Sequence, residues 1–210
     1  MEKKDLLKLI ILVLAIGLSF FVMLDATQNA HAIPIEYIGI LNGPSESPPN
    51  GSPGTGSALA DFDIAAHTMR VQVSFSGLLG TTTASHIHGP TPTPGTGTAG
   101  VATTVPTFPL FPLGVTAGTY DHTFDTSLDS TYNPAFETAH GGTAAAAEAA
   151  LAASLADGTA YLNIHTSTFP GGEIRGFLLP APSAVPEPST MLLLGSGLLG
   201  LWGARKKFKR

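Results

Sequence analysis

Met69-Arg70-Val71-Gln72-Val73-Ser74-Phe75 alternates apolar and polar residues without a break. Side chains in a strand point to opposite faces in turn, so Met69, Val71, Val73 and Phe75 line a buried face while Arg70, Gln72 and Ser74 meet water. Working outward, similar short segments occur at Ile35 to Leu41, Ser57 to Asp63, Ala84 to His88, Gly100 to Val105, Thr119 to Asp125, Tyr161 to His165 and Glu173 to Leu179. Eight short strands with Gly/Pro punctuation predict a mainly β fold, an antiparallel Greek-key sandwich or barrel. Thr143 to Ala156 breaks the pattern: it is almost all Ala and Leu with one Glu and closes on Asp157-Gly158, which predicts one Ala-rich helix crossing to the Tyr161 strand. The Pro/Gly-rich stretches Pro44 to Gly56 and Pro90 to Gly97 read as loops, because proline cannot donate to a β ladder.

Of 210 residues, both ends are taken up by apolar segments with basic flanks, which leaves one domain between them. The flanks hold eight of the ten Lys and Arg, so between Ile33 and Ala184 only Arg70 and Arg175 face eleven acidic residues, a formal charge of −9. Such a surface repels phosphate backbones and argues against a nucleic-acid partner; metal cations or neutral polymers fit it better. With no cysteine, disulfides and thiolate ligands are excluded and the core alone must hold the fold.

Residues 1–32 have the three parts of a signal peptide: a basic start (Lys3, Lys4, Lys8), an apolar run from Leu9 to Leu24, and Ala30-His31-Ala32 as cleavage residues for signal peptidase, with cleavage expected after Ala32. At the other end, residues 181–188 form a linker that closes on Pro186-Glu187-Pro188. Residues 189–210 then carry an apolar stretch to Ala204 and the basic cluster Arg205-Lys206-Lys207-Phe208-Lys209-Arg210. The prolines predict an extended segment before a membrane helix. Ser189 to Ala204 would span about 24 Å as a helix, short of a hydrocarbon core of about 30 Å, so snorkelling or local thinning is expected to make up the rest. The basic cluster places the C-terminus in the cytoplasm and the domain outside. This tail resembles the PEP-CTERM sorting signal. The resemblance implies an exosortase that cuts near Pro186-Glu187-Pro188 and sends the domain to the cell surface or extracellular matrix, with exopolysaccharide or envelope components as neighbours.

Within the domain, several motifs occur in order: Leu41-Asn42-Gly43 with Glu46 and Pro48-Pro49, Gly54-Thr55-Gly56, Phe75-Ser76-Gly77-Leu78, Ala84-Ser85-His86-Ile87-His88-Gly89-Pro90, Tyr161-Leu162-Asn163-Ile164-His165-Thr166, and Gly172-Glu173-Ile174-Arg175-Gly176. Residues 33–180, which contain this series, resemble the chordin-type CHRD domain. The resemblance implies an antiparallel β-sandwich; the family occurs in the signalling antagonist chordin and in exported microbial proteins. The Pro90 to Thr98 loop and Phe108-Pro109-Leu110-Phe111-Pro112 depart from the pattern.

Strand alternation puts His86 and His88 on one face, opposite Ile87, and His165 on a face with Asn163 and Tyr161. If the two strands are neighbours, three imidazoles converge on the outer face, where Zn or Cu would accept neutral nitrogen donors. The His-x-His strand with a distant histidine also resembles the Cu/Zn superoxide dismutase barrel, although no cysteine pair accompanies it. His122 and His140 are candidates for a fourth ligand, and His67 belongs to a turn. The competing reading makes the three histidines braces that hydrogen-bond the Pro90 to Gly97 loop and the Glu173-Ile174-Arg175 strand. Glu173 and Arg175 share a face and are expected to pair with each other or with His165. No catalytic triad, carboxylate pair or phosphate loop stands out, and Gly95-x-Gly97-x-x-Gly100 has no helix after it. The sequence therefore predicts a non-enzymatic surface or matrix module, with a metal-binding or superoxide-dismutase-like metalloprotein as the alternative.

Overall fold

The computed structural model describes residues 34–182. The expected signal peptide and the expected membrane helix lie outside them. Among the described residues no helix is long and apolar enough to cross a membrane.

Eight strands form one antiparallel sheet: β1 (Ile35–Asn42), β2 (Thr55–Asp63), β3 (Thr68–Ser76), β4 (Thr82–His88), β5 (Gly118–Asp125), β6 (Tyr161–Thr166), β7 (Ile174–Phe177) and β8 (Leu179–Pro180). Their order is β4-β6-β7-β1-β2-β3-β5, with the two-residue β8 pairing β1 beyond β7. The fold is thus mainly β and antiparallel, as expected, and takes the form of a single sheet curled into a half-barrel. β3 shows the cause in its burial: Met69, Val71, Val73 and Phe75 are buried, and Arg70 and Ser74 are exposed. Tyr37 and Leu41 of β1, Ala58, Ala60 and Phe62 of β2, Ile87 of β4, Leu162 and Ile164 of β6 and Ile174 of β7 join them in one core.

The curl leaves β4 and β5 as the two outer strands, and residues 101–116 fill the space beside β4. Their backbone bonds it at Ala102 N to Ile87 O (2.9 Å), Phe108 N to Ser85 O (3.0 Å) and Gly114 N to Thr82 O (2.9 Å). From this strap Phe108 stacks on Tyr120 and Phe111 stacks on Phe75, so aromatic rings from β3, β5 and the strap close the core. A fully buried ring of this size stabilises by about 1.5–3 kcal/mol, enough to fix an otherwise irregular segment. The expected strand Gly100 to Val105 is part of this strap and is not a strand; it makes only single bridges, Val101 with His88 and Thr103 with Tyr132. The reason is chemical: side chains satisfy the β4 edge, Ile87 N donating to Thr103 Oγ1 and Ser85 N to Thr107 Oγ1, both at 3.0 Å.

Helix α1 (Pro134–Ala139), absent from the sequence reading, starts at Asn133, whose side chain accepts from Ala135 N. The Ala-rich helix α2 (Ala144–Ala156) is capped by Thr143 and leads into β6 as expected. Ala144, Ala147, Glu148, Leu151, Ser154 and Leu155 give it a buried stripe at helical spacing. Glu148 is buried and accepts from the Thr126 hydroxyl, and it pairs at 2.8 Å with His67 in the β2–β3 turn, which pins the helix to the sheet. The expected strand Glu173 to Leu179 is split into β7 and β8 at Leu178, whose N–H leaves the ladder to donate to Ala160 O.

Candidate metal centre

β4 and β6 are neighbours, and their register decides what meets on the outer face. Ala84 lies opposite His165, His86 opposite Asn163, and His88 opposite Tyr161. The same row continues across the sheet, Asn163 opposite Arg175 of β7 and Arg175 opposite Asn42 of β1. Sequence alternation placed these side chains correctly on the face away from the apolar core. It did not reveal that loops cover this half of the face. His86, His88, Asn163 and Arg175 are all buried there, and His165 is half-buried.

Three coverings make the roof. The first begins at Asn42, whose side chain accepts from Ser45 N and so caps a tight turn at Gly43–Ser45. The turn brings Ser45 O to Arg175 Nε and sets the Glu46 carboxylate against Asn163 Nδ2, at 3.2 and 3.3 Å to its two oxygens. The second is the loop through Gly97 and Ala99, which accepts from Arg175 Nη1 and His88 Nδ1. The third is the turn at Pro170 to Gly172. A Cβ on Gly172 would sit 2.5 Å from Asn163 Nδ2 and 2.7 Å from Glu46 Oε1, and its φ is +131°, so only glycine lets this turn close on the pair.

Each histidine spends one ring nitrogen on a backbone carbonyl. His86 Nε2 donates to Pro106 O (2.7 Å), His88 Nδ1 to Ala99 O (3.0 Å) and His165 Nδ1 to Pro170 O (2.9 Å). A carbonyl only accepts, so these contacts fix the tautomers and leave His86 Nδ1, His88 Nε2 and His165 Nε2 with lone pairs. Those three atoms are buried and have no hydrogen-bond partner. The rings form a compact triangle with centroids 5.3 to 5.9 Å apart, and one nitrogen from each lies within 4.8 Å of the others. A tetrahedral ion holding nitrogens at about 2.0–2.1 Å brings them to about 3.3 Å from one another, so loading asks for modest ring rotations.

Burial pushes all three imidazoles below their ordinary pKa of 6.5, His88 to about 4, despite the opposing pull of their carbonyl partners. They stand neutral at physiological pH, the form a metal requires. His88 also stacks on Tyr161 at 4.8 Å, and Arg175 lies over the Tyr161 ring at 4.7 Å. Burial raises the Glu46 carboxyl to about 7, against the pull of Arg175.

Among the described residues, the one cluster of three metal-ligating side chains is His86, His88 and His165. His122 and His140, considered as fourth ligands, do not join it; His140 is held at the end of α1 by Phe136 O. The braces expected for the histidines also differ: the partners are carbonyls of residues 99, 106 and 170, not the Glu173-Ile174-Arg175 strand. Glu173 and Arg175 do not pair. Glu173 precedes β7 and is fully buried, where it accepts from Ser52 Oγ, Leu79 N, Gly80 N and Thr166 Oγ1. Arg175 instead serves the Glu46 turn, its Nε 3.9 Å from Glu46 Oε2. Their shared spacing was no guide, since each is claimed by a different loop.

Comparison with protein-family models matches residues 38–178 to the CHRD domain and residues 184–207 to the PEP-CTERM protein-sorting motif. Searches of curated proteins and of solved structures found no match. The sorting motif implies an exported protein that an exosortase directs to the cell surface. The domain match covers more than half of the chain, and so this exported, PEP-CTERM-bearing chain belongs to the CHRD domain family.

Proposed function

We propose that the CHRD domain of this surface-sorted protein binds one transition-metal ion, Zn or Cu, through His86, His88 and His165. The observation that carries the reading is the set of three buried nitrogen lone pairs converging without partners, each on a ring anchored through its other nitrogen. Metal-ligating histidines characteristically donate their second N–H to a carbonyl or carboxylate, which orients the ring and raises its basicity. As mere braces, the three rings would leave three buried acceptors unpaired, at about 1–3 kcal/mol each. Neutral imidazoles favour Zn and Cu over Mg or Ca.

The function proposed is binding, not a reaction. Signal peptidase cleaves after Ala32, the exosortase acts at Pro186-Glu187-Pro188, and the domain then stands among exopolysaccharide and envelope components as a metal-holding module. The test is metal content. The full chain, purified in mild detergent, stripped with chelator and dialysed against Zn or Cu, should retain about one equivalent. His86→Ala, His88→Ala and His165→Ala should each retain almost none. A parent chain that keeps no metal, or variants that keep as much as the parent, would refute the proposal.

A further inference from the structure

A fourth buried acceptor belongs to the same face. Asn163 is 3% exposed and its Oδ1 has no hydrogen-bond partner. Every other orphaned acceptor on this face is a histidine nitrogen of the trio. In the β4–β6 register Asn163 lies directly opposite His86, diagonal to His88, and two residues from His165 on its own strand. Directly opposed Cβ atoms are about 4.5–5.5 Å apart and diagonal ones about 7–8 Å, so Asn163 neighbours all three rings. Its amide orientation follows from Glu46. When Glu46 is ionised its carboxylate accepts from Asn163 Nδ2, and turning the amide over would set oxygen against oxygen. The free end is therefore the oxygen.

Resting on the metal reading above, we propose that Asn163 is the positioning residue for the fourth coordination place, its Oδ1 accepting a hydrogen bond from a water molecule or hydroxide bound to the ion. Three imidazoles leave a tetrahedral ion one ligand short. Two of the three free nitrogens are the distal Nε2, and a carboxamide arm is shorter than an imidazole arm, so a water on the ion would bridge to Asn163 Oδ1. Such a water has O–H groups to donate and its lone pair on the ion, so it suits an acceptor that has nothing else to accept from. Glu46, itself buried and held beside Arg175, acts through Asn163: it engages Nδ2 and so leaves Oδ1 as the free acceptor end. The close approach of Gly172 to both side chains keeps the pair from rotating away.

The experiment loads the full chain with Co(II), whose visible bands report coordination number and ligand set, at pH 8, where Glu46 is ionised. Asn163→Leu removes the acceptor at similar size. It should still take up one Co(II) through the histidines, with affinity lower by about 10–100-fold and altered bands, as loss of an outer-shell partner does. The exchange variant Glu46→Gln/Asn163→Asp keeps volume and hydrogen bond but turns a carboxylate oxygen toward the ion. It should bind Co(II) at least about tenfold more tightly, since a charged acceptor makes the stronger bond. If Asn163→Leu does not fold, the exchange variant decides alone. Bands and affinity unchanged in the exchange variant overturn the role of Asn163 and leave the three-histidine site standing. A parent chain that takes up no Co(II), Zn or Cu overturns both.

Discussion

Replacing Glu173 by Gln tests whether a buried charge ties the two loops next to the candidate site to the sheet. The Glu173 carboxylate accepts from Ser52 Oγ at 2.6 Å, Leu79 N at 2.5 Å, Gly80 N at 3.1 Å and Thr166 Oγ1 at 2.6 Å. Burial pushes its pKa up, and the four donors outweigh that and hold it below the ordinary 4.5. Gln keeps the shape, but its amide nitrogen must face either Leu79 N–H or Gly80 N–H, neither of which can turn to accept. One unpaired buried donor costs about 1–3 kcal/mol, and the remaining bonds fall from charge-assisted to neutral strength, for a total of about 3–5 kcal/mol. At about 2–4 °C per kcal/mol for a chain of this size, Tm should fall by about 6–20 °C. The assay is a thermal melt of metal-free protein at pH 7, with the exposed carboxylate variant Glu36→Gln as control. Because the folded pKa is depressed, this stabilisation is complete above the ordinary carboxylate pKa and is lost as pH falls through and below it, so the parent and Glu173→Gln should converge in acid. A Glu173→Gln protein that melts with the control refutes the reasoning.

Val73→Asp should unfold the domain, because it places an unpaired carboxylate in a core position against a total stability of about 5–15 kcal/mol. Gln72→Thr, one residue along on the outer face, should cost less than about 1 kcal/mol in the same urea titration. In metal-free protein His88 is neutral down to about pH 4, against 6.5 when unfolded, so its share of stability is complete above pH 6.5 and is lost as pH falls toward 4. That share is about 3 kcal/mol, and His88→Phe should show a flatter acid limb in melts from pH 7 to 4. Glu187→Ala should leave the protein cell-associated in an exosortase-bearing host; normal trimming, read by immunoblot of the surface fraction, would remove Pro186-Glu187-Pro188 from the sorting signal.

Alternation was enough to read the strands whose two faces differ. Met69, Val71, Val73 and Phe75 are buried while Arg70 and Ser74 between them are exposed and Gln72 half-buried, and His86, His88 and His165 fall on the face their spacing assigned. The Ala-rich segment from 144 to 156 declared itself by composition. What escaped was everything decided by a distant partner. Phe108 and Phe111 read only as a departure from the family pattern, yet they fill the core between β4 and β5, since nothing local says that a Pro-rich strap meets Tyr120 and Phe75. Alternation assigned the polar residues of β4 and β6 to an outer face without saying what covers it; loops at 43–46, 97–99 and 170–172 do. Glu46 and Asn163 therefore had no visible role beyond the motifs they belong to, and Arg175 was expected to pair with Glu173 or His165, although Gly172 beside Glu173 was a signal of close backbone approach. The Glu173 and Arg175 spacing promised a pair that does not form, because Ser52, Leu79, Gly80 and Thr166 claim Glu173 while Ser45 O and Glu46 claim Arg175.

The most direct test of the central claim is a melting curve of the chelator-treated full chain, recorded with and without Zn or Cu at a hundredfold excess over the measured Kd. An ion held only by the folded state adds RT ln(1 + [L]/Kd), about 2.7 kcal/mol at that excess, so Tm should rise by about 5–11 °C for a chain of this size. The rise should vanish in His86→Ala, His88→Ala and His165→Ala, and should weaken as pH falls toward the shifted histidine pKa values. Identical melts with and without either metal would contradict the account and leave the three histidines as braces of the loops above the sheet.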